Sequence, residues 1–153
     1  MLAIRRTSSV SLALLCLSLC STALAAHPRS GATYSGTIRQ TFKHLKIVNR
    51  FAISFKVTGS GRRVRSFALQ SNYPIYCQGG GFGTVSGGSA AVSKGGRFRV
   101  SLPIIFAPTH QHQGFVIITG AFHAHNRESG RVTTRFMKFA QCGGTSSYST
   151  TAK

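Results

Sequence analysis

Apolar and polar residues alternate with a period of two along much of the chain, the pattern of strands that bury one face. From Val48 onward Phe51, Ile53, Phe55 and Val57 share one face, and Ala52, Ser54, Lys56 and Thr58 share the other. Gly59-Ser60-Gly61 predicts a turn, after which Arg63 to Gln70 returns as the partner strand. Alternation resumes at residues 97–102, with Phe98, Val100 and Leu102 facing in and Arg97 and Arg99 facing out. The apolar run Phe115 to Phe122, the turn-like His125 to Gly130 and the return Arg131 to Phe136 predict a long hairpin. Glu128 then stands at the tip of that turn, in solvent.

Between these elements the signals are weaker. A first strand is expected from Thr33-Tyr34-Ser35-Gly36-Thr37-Ile38, and a last short one around Ser146-Ser147-Tyr148. Residues 78–96 hold eight glycines, which predicts loops around a short strand near Ala90 to Ser93. Pro103 and Pro108 bracket a turn or sheet edge before the polar His110-Gln111-His112-Gln113. Helical periodicity is nearly absent beyond the first 25 residues. The expected fold is all-β, an antiparallel β-sandwich of jelly-roll type with about eight or nine strands.

Residues 1–25 read as a cleaved helical signal peptide, with Arg5 and Arg6 as its basic region, Val10 to Cys20 as its apolar core and Ala23-Leu24-Ala25 before the cut. The apolar core is too short for a membrane anchor. Leu17-Ser18-Leu19-Cys20 approaches a lipoprotein signal, but Leu19 stands where a small residue is needed. Residues 26–32 are expected as a flexible lead-in and 33–153 as one domain. The protein is expected outside the cell, free or associated with the wall. Removing the leader leaves Cys77 and Cys142, and in an oxidising compartment one disulfide is expected over two free thiols. It closes a loop of about 65 residues, worth roughly 4 kcal/mol in the chain-entropy model.

A set of short motifs falls in a familiar order: Tyr34-Ser35-Gly36, Ile53-Ser54-Phe55-Lys56-Val57, Gly61-Arg62-Arg63-Val64, Cys77, Gly96-Arg97-Phe98, Gly120-Ala121-Phe122, Ser129-Gly130-Arg131-Val132, Cys142-Gly143-Gly144 and Tyr148-Ser149. In this the chain resembles small exported single-disulfide β-sandwich domains of high-GC Gram-positive bacteria. The resemblance implies a stapled sandwich and an extracellular location, and it implies no activity. The chain departs from that pattern at Gly143-Gly144, where serine-glycine is usual, and at Tyr148, where a tryptophan is usual.

Charge changes the picture most. Without Arg5 and Arg6 the chain keeps 17 basic residues against Glu128, its one acidic residue, a formal net charge of +16. One carboxylate cannot supply the pair that glycoside hydrolysis needs, nor a carboxylate-built calcium site. A Ser-His-Asp triad would have to take Glu128 as its acid, and paired cysteines leave no thiol nucleophile. A non-enzymatic role is therefore expected. Arg62, Arg63 and Arg65 cluster at one hairpin, Arg97 and Arg99 share a strand face, and Arg131 and Arg135 share another. Arginine's planar fork suits phosphate and carboxylate, so the expected partners are anionic polymers or surfaces of the cell envelope, with nucleic acid only as a non-specific polyanion. Tyr34, Tyr73, Tyr76 and Tyr148 are the aromatic candidates for its surface.

The alternative chemistry is copper or zinc. His110 and His112, and again His123 and His125, stand two apart, so each pair shares a face if its segment is extended. Cleavage after Ala26 would make His27 the N-terminus, with an amine and an imidazole to clasp copper as in copper-dependent oxidoreductases.

Overall fold

The computed structural model describes residues 26–42, 47–69, 83–106, 110–137 and 144–153. The expected signal peptide, Cys77, Cys142, Tyr73 and Tyr76 lie outside these residues. Among the described residues nine strands run in chain order: β1 (Thr33–Phe42), β2 (Ile47–Val57), β3 (Arg63–Leu69), β4 (Gly83–Thr84), β5 (Ser86–Ala91), β6 (Arg97–Phe106), β7 (Gln111–His123), β8 (Arg127–Phe136) and β9 (Gly144–Ala152). Among the described residues there is no helix.

All nine belong to one antiparallel sheet, in the order β4-β6-β7-β8-β9-β1-β2-β3-β5. Two consecutive meanders, β1-β2-β3 and β6-β7-β8-β9, are joined where β9 pairs β1, with Tyr34 opposite Ala152 and Ile38 opposite Tyr148. The free flank of β5 packs on β6, and a Cβ at Gly88 would run into the side chain of Leu102. The sheet therefore curls on itself into a nearly closed barrel, where the alternation predicted a two-sheet sandwich. Period-two patterning is the same in both architectures, because each buries alternate residues.

The predicted faces are the observed ones. Phe51, Ile53, Phe55 and Val57 are buried, as are Phe98, Val100 and Leu102. At the heart of the barrel Phe55 stacks on Tyr34 at a centroid distance of 5.3 Å and meets Phe67, Phe98 and Phe122 at 5.1, 5.5 and 6.3 Å. A bulge on β3 serves this cluster. Ser66 takes φ 55°, which adds one residue against β2 and turns both Val64 and Phe67 inward although they are three apart.

Within residues 26–32, expected as a flexible lead-in, Arg29, Gly31 and Ala32 make hydrogen bonds. Gly31 N donates to Thr58 O at 3.1 Å, Val57 N to Ala32 O at 2.9 Å, and Arg29 N to the Tyr34 hydroxyl at 3.0 Å. The other end of the domain closes beside them, since Lys153 N donates to Thr33 O at 2.9 Å.

Replacing Phe55 with alanine removes the ring that the other four aromatics share. The expected cost is about 3–5 kcal/mol, read as a fall in the urea midpoint of unfolding at unchanged slope. A change below 1 kcal/mol would show that the aromatic cluster does not hold the barrel together.

Candidate anion-binding surface

The chemistry of the outer surface follows from strand parity. On β6, β7 and β8 the residues that point away from the aromatic core include Arg97, Arg99, Arg131 and Arg135, and all four are exposed. Arg99 and Arg131 both stand opposite Thr119, on either side of it. Arg62, Arg63 and Arg65 are exposed at the β2–β3 turn and the start of β3. Arg63 Nη2 donates to Ser89 Oγ on β5 at 2.9 Å, and Arg65 stands directly opposite Lys56. Like charges directly across an antiparallel pair repel, so that arrangement calls for a counter-ion from outside.

Three segments meet at the end of the barrel where the chain enters and leaves: the lead-in, the β2–β3 turn and the β5–β6 turn. They frame a cleft of about 760 Å³ whose lining includes His27, Ser30, Arg62, Arg63, Ser93 and Lys94. Val92 N donates to Arg62 O at 2.8 Å, which ties the two turns together, and Arg97 N donates to Ser93 Oγ at 3.1 Å within the second. Lys94 is a cation of this cleft that reading the sequence left out, since only the folded turns bring it beside Arg62 and Arg63.

The two predicted histidine pairs do not come together. His112 lies at the start of β7 and His123 at its end, eleven residues apart, which at about 3.3 Å per residue is roughly 36 Å. His110 and His125 are turn residues with φ 53° and 60°, so neither pair is an extended i, i+2 pair. His112 packs edge-on to Phe115 at 4.5 Å, and His123 Nε2 lies 2.8 Å from Ser129 Oγ. Among the described residues no three of histidine, cysteine, aspartate and glutamate come together as metal ligands.

Glu128 departs most from expectation. The turn comes earlier than its composition suggested: His123 pairs with Arg127, leaving only residues 124–126 in the loop, with His125 and Asn126 in the left-handed region. Glu128 is thus a strand residue. It shares the inward parity of Val132 and Thr134 and is 1% exposed. Its carboxyl accepts hydrogen bonds from the Tyr148 hydroxyl at 2.7 Å and from Thr150 Oγ1 at 2.6 Å, both on β9. Tyr148 and Tyr34, expected at the surface, are buried with it at 3% and 1% exposure.

Two glycines make the room for this cluster. A Cβ at Gly120 would strike Glu128 Oε1 and the Phe98 ring, and one at Gly130 would strike Thr119 O and the Tyr148 ring. The sequence did carry a signal for it, since counting back by twos from Val132 reaches Gly130 and then Glu128. Burial pushes the Glu128 pKa up from 4.5 to about 7, against the two hydrogen bonds, which lower it. The same burial and the neighbouring carboxyl push the Tyr148 hydroxyl further above its ordinary range. With the chain's one acidic side chain inside the barrel, the outer surface carries cationic side chains and no acidic ones.

Compared with known families and characterised proteins, the sequence matches no family model and no characterised protein.

Glu128 makes stability depend on pH in an unusual direction. Below about pH 4.5 the carboxyl is protonated in both the folded and the unfolded chain and costs nothing. Between 4.5 and 7 the folded state holds the proton that the unfolded state releases, so stability falls as pH rises. Above 7 the full cost applies, roughly 3 kcal/mol from the cited shift. Relative to Glu128→Gln, the wild type should lose stability between pH 5 and pH 8 in chemical denaturation. Parallel pH profiles for the two proteins would show that Glu128 ionises freely in the fold.

Proposed function

We propose that the protein is an exported, non-enzymatic binding domain that holds anionic polymers at the cell envelope through its outer-face arginines. One observation carries the reading: Arg62, Arg63, Arg65, Arg97, Arg99, Arg131 and Arg135 are all exposed, and the carboxylate that might have neutralised one of them is buried. A protein with a formal charge of +16 after loss of the leader and no acidic side chain outside draws its counter-charge from its surroundings. An apolar interior under a charged exterior is also the inverse of a membrane-spanning β-barrel, whose outer band is apolar.

A disulfide between Cys77 and Cys142 belongs to the same proposal. The described residues flanking Cys77 are Leu69 and Gly83, and those flanking Cys142 are Met137 and Gly144. All four lie at or next to strand ends at the barrel end opposite the cleft, because Gly83 pairs with Phe106 and Gly144 with Thr134. That placement supports the pairing.

The test is binding of the oxidised protein to anionic wall-polymer fragments across a salt series, with the metal content of the same sample measured. Binding is expected to fall steeply and log-linearly with salt. Each change of Arg62, Arg65 or Arg135 to glutamine should weaken it without altering the melting temperature. Stoichiometric copper or zinc with no polymer binding, lost when His27, His110, His112, His123 or His125 is changed to alanine, would replace this reading with a metal-binding one.

A further inference from the structure

The registers align four arginines that are scattered in sequence. Following hydrogen-bonded neighbours across the sheet, Arg99 on β6 stands opposite Thr119 on β7, Thr119 opposite Arg131 on β8, and Arg131 opposite Ser147 on β9. Ser147 in turn stands opposite Arg39 on β1, and Arg39 opposite Arg50 on β2. The row runs Arg99, Thr119, Arg131, Ser147, Arg39, Arg50, one position per strand. The arginines and Ser147 are exposed and Thr119 is partly so, and every one of the six is a hydrogen-bond donor.

The rows on either side are different. On one side lie Arg97, Ala121, Ser129, Ser149, Thr37 and Ala52, with a single cation at the end. On the other lie Ser101, Ile117, Thr133 and Thr145, with none. The charge on this part of the barrel is therefore drawn into a line. Arg39 and Arg50 face each other directly, and no carboxylate side chain exists outside to separate them. That placement is unfavourable in the free protein and becomes favourable when an anion lies between the two guanidinium groups.

We infer that this row is the track for a flexible, single-chain phosphodiester polymer, which winds around the barrel across the strands. This deepens the polyanion-binding reading and rests on it. The shape of the sheet selects the ligand. At about 4.8 Å per strand the row covers roughly 24 Å of backbone, and it crosses six of the eight long strands of a nearly closed barrel. It therefore passes more than halfway round. A duplex or a membrane presents a stiff or flat array of phosphates and touches only the arginines on the side turned toward it. A flexible chain follows the curve and meets all four, with the Thr119 and Ser147 hydroxyls bridging the longer gaps. Guanidinium forks bind phosphate oxygens in pairs, and recognition of this kind does not require reading a base.

The test uses two probes with the same number of phosphates, a single-stranded homopyrimidine oligonucleotide and poly(glycerol phosphate), with a DNA duplex as the stiff comparison. Two charge-matched variants of the full chain are compared with wild type: R39Q/R50Q/R99Q/R131Q on the row, and R29Q/K56Q/R127Q/K153Q off it. All eight side chains are exposed, so neither variant should melt below the wild type. Each phosphate contact contributes about 0.7 to the slope of log affinity against log salt for a single strand, so the row variant should flatten that slope by about 3. The off-row variant should lower it by less than half as much, and the flexible probes should bind wild type more tightly than the duplex. Binding of one flexible probe and not the other identifies the polymer, and the row is confirmed if its variant flattens that slope more than twice as much as the off-row variant does. Equal losses in the two variants would overturn the track while leaving polyanion binding intact. Tighter binding of the duplex would overturn the winding path, and no binding by wild type to any probe would remove the function itself.

Discussion

The pairing of the first strand with the last holds the rest of this structure in place. β1-β2-β3 and β6-β7-β8-β9 are each a meander that local turns can form, but separately they are two curved sheets with open edges and half a core. The β9–β1 ladder turns them into one barrel. It brings Tyr34 and Phe55 from the first meander against Phe98 and Phe122 from the second. The Glu128 carboxyl reinforces the same seam from the adjoining strand pair, fastening β8 to Tyr148 and Thr150 of β9. Because the β9–β1 ladder joins residues more than a hundred positions apart in the chain, closure is expected to be slow and cooperative.

Local alternation makes a good part of this fold legible. The buried faces of Phe51 to Val57 and of Phe98 to Leu102 could be read directly, and so could the hairpin through Phe115 to Phe136. Strand partners could not, because alternation says which face is buried and not which strand lies alongside. That is why a sandwich and a barrel looked alike, and why Arg39 and Arg50 passed unnoticed. Each is a lone arginine in its segment, and only the β1–β2 register sets them face to face. Glu128 was misread for another reason. Asn126, Ser129 and Gly130 have the composition of a turn, yet in the sheet Gly130 provides space for Tyr148, and the turn ends before Arg127.

Charge and core are connected through that residue. A domain this basic has one acidic side chain available, and the fold uses it inside, where near neutral pH it can keep its proton and accept hydrogen bonds without a cation beside it. The outside is left without acidic side chains to compete for its arginines. Divalent cations, which commonly bridge an acidic protein surface to an anionic polymer, find no carboxylate side chain here to bridge from. The charged groups that the outer surface offers to its surroundings are thus cationic side chains.

The hydrogen bond from Lys153 N to Thr33 O has a consequence for how the domain can be joined to other things. The chain enters and leaves the barrel at neighbouring points on one end, while the arginine row runs around its side. A short linker from residue 153 back to residue 33 would make the polypeptide a ring without crossing the row, and the chain could then be reopened at another turn. The arginine row is in this sense independent of where the chain starts. Copies strung in tandem through the shared end would each leave their girth, and with it the row, uncovered.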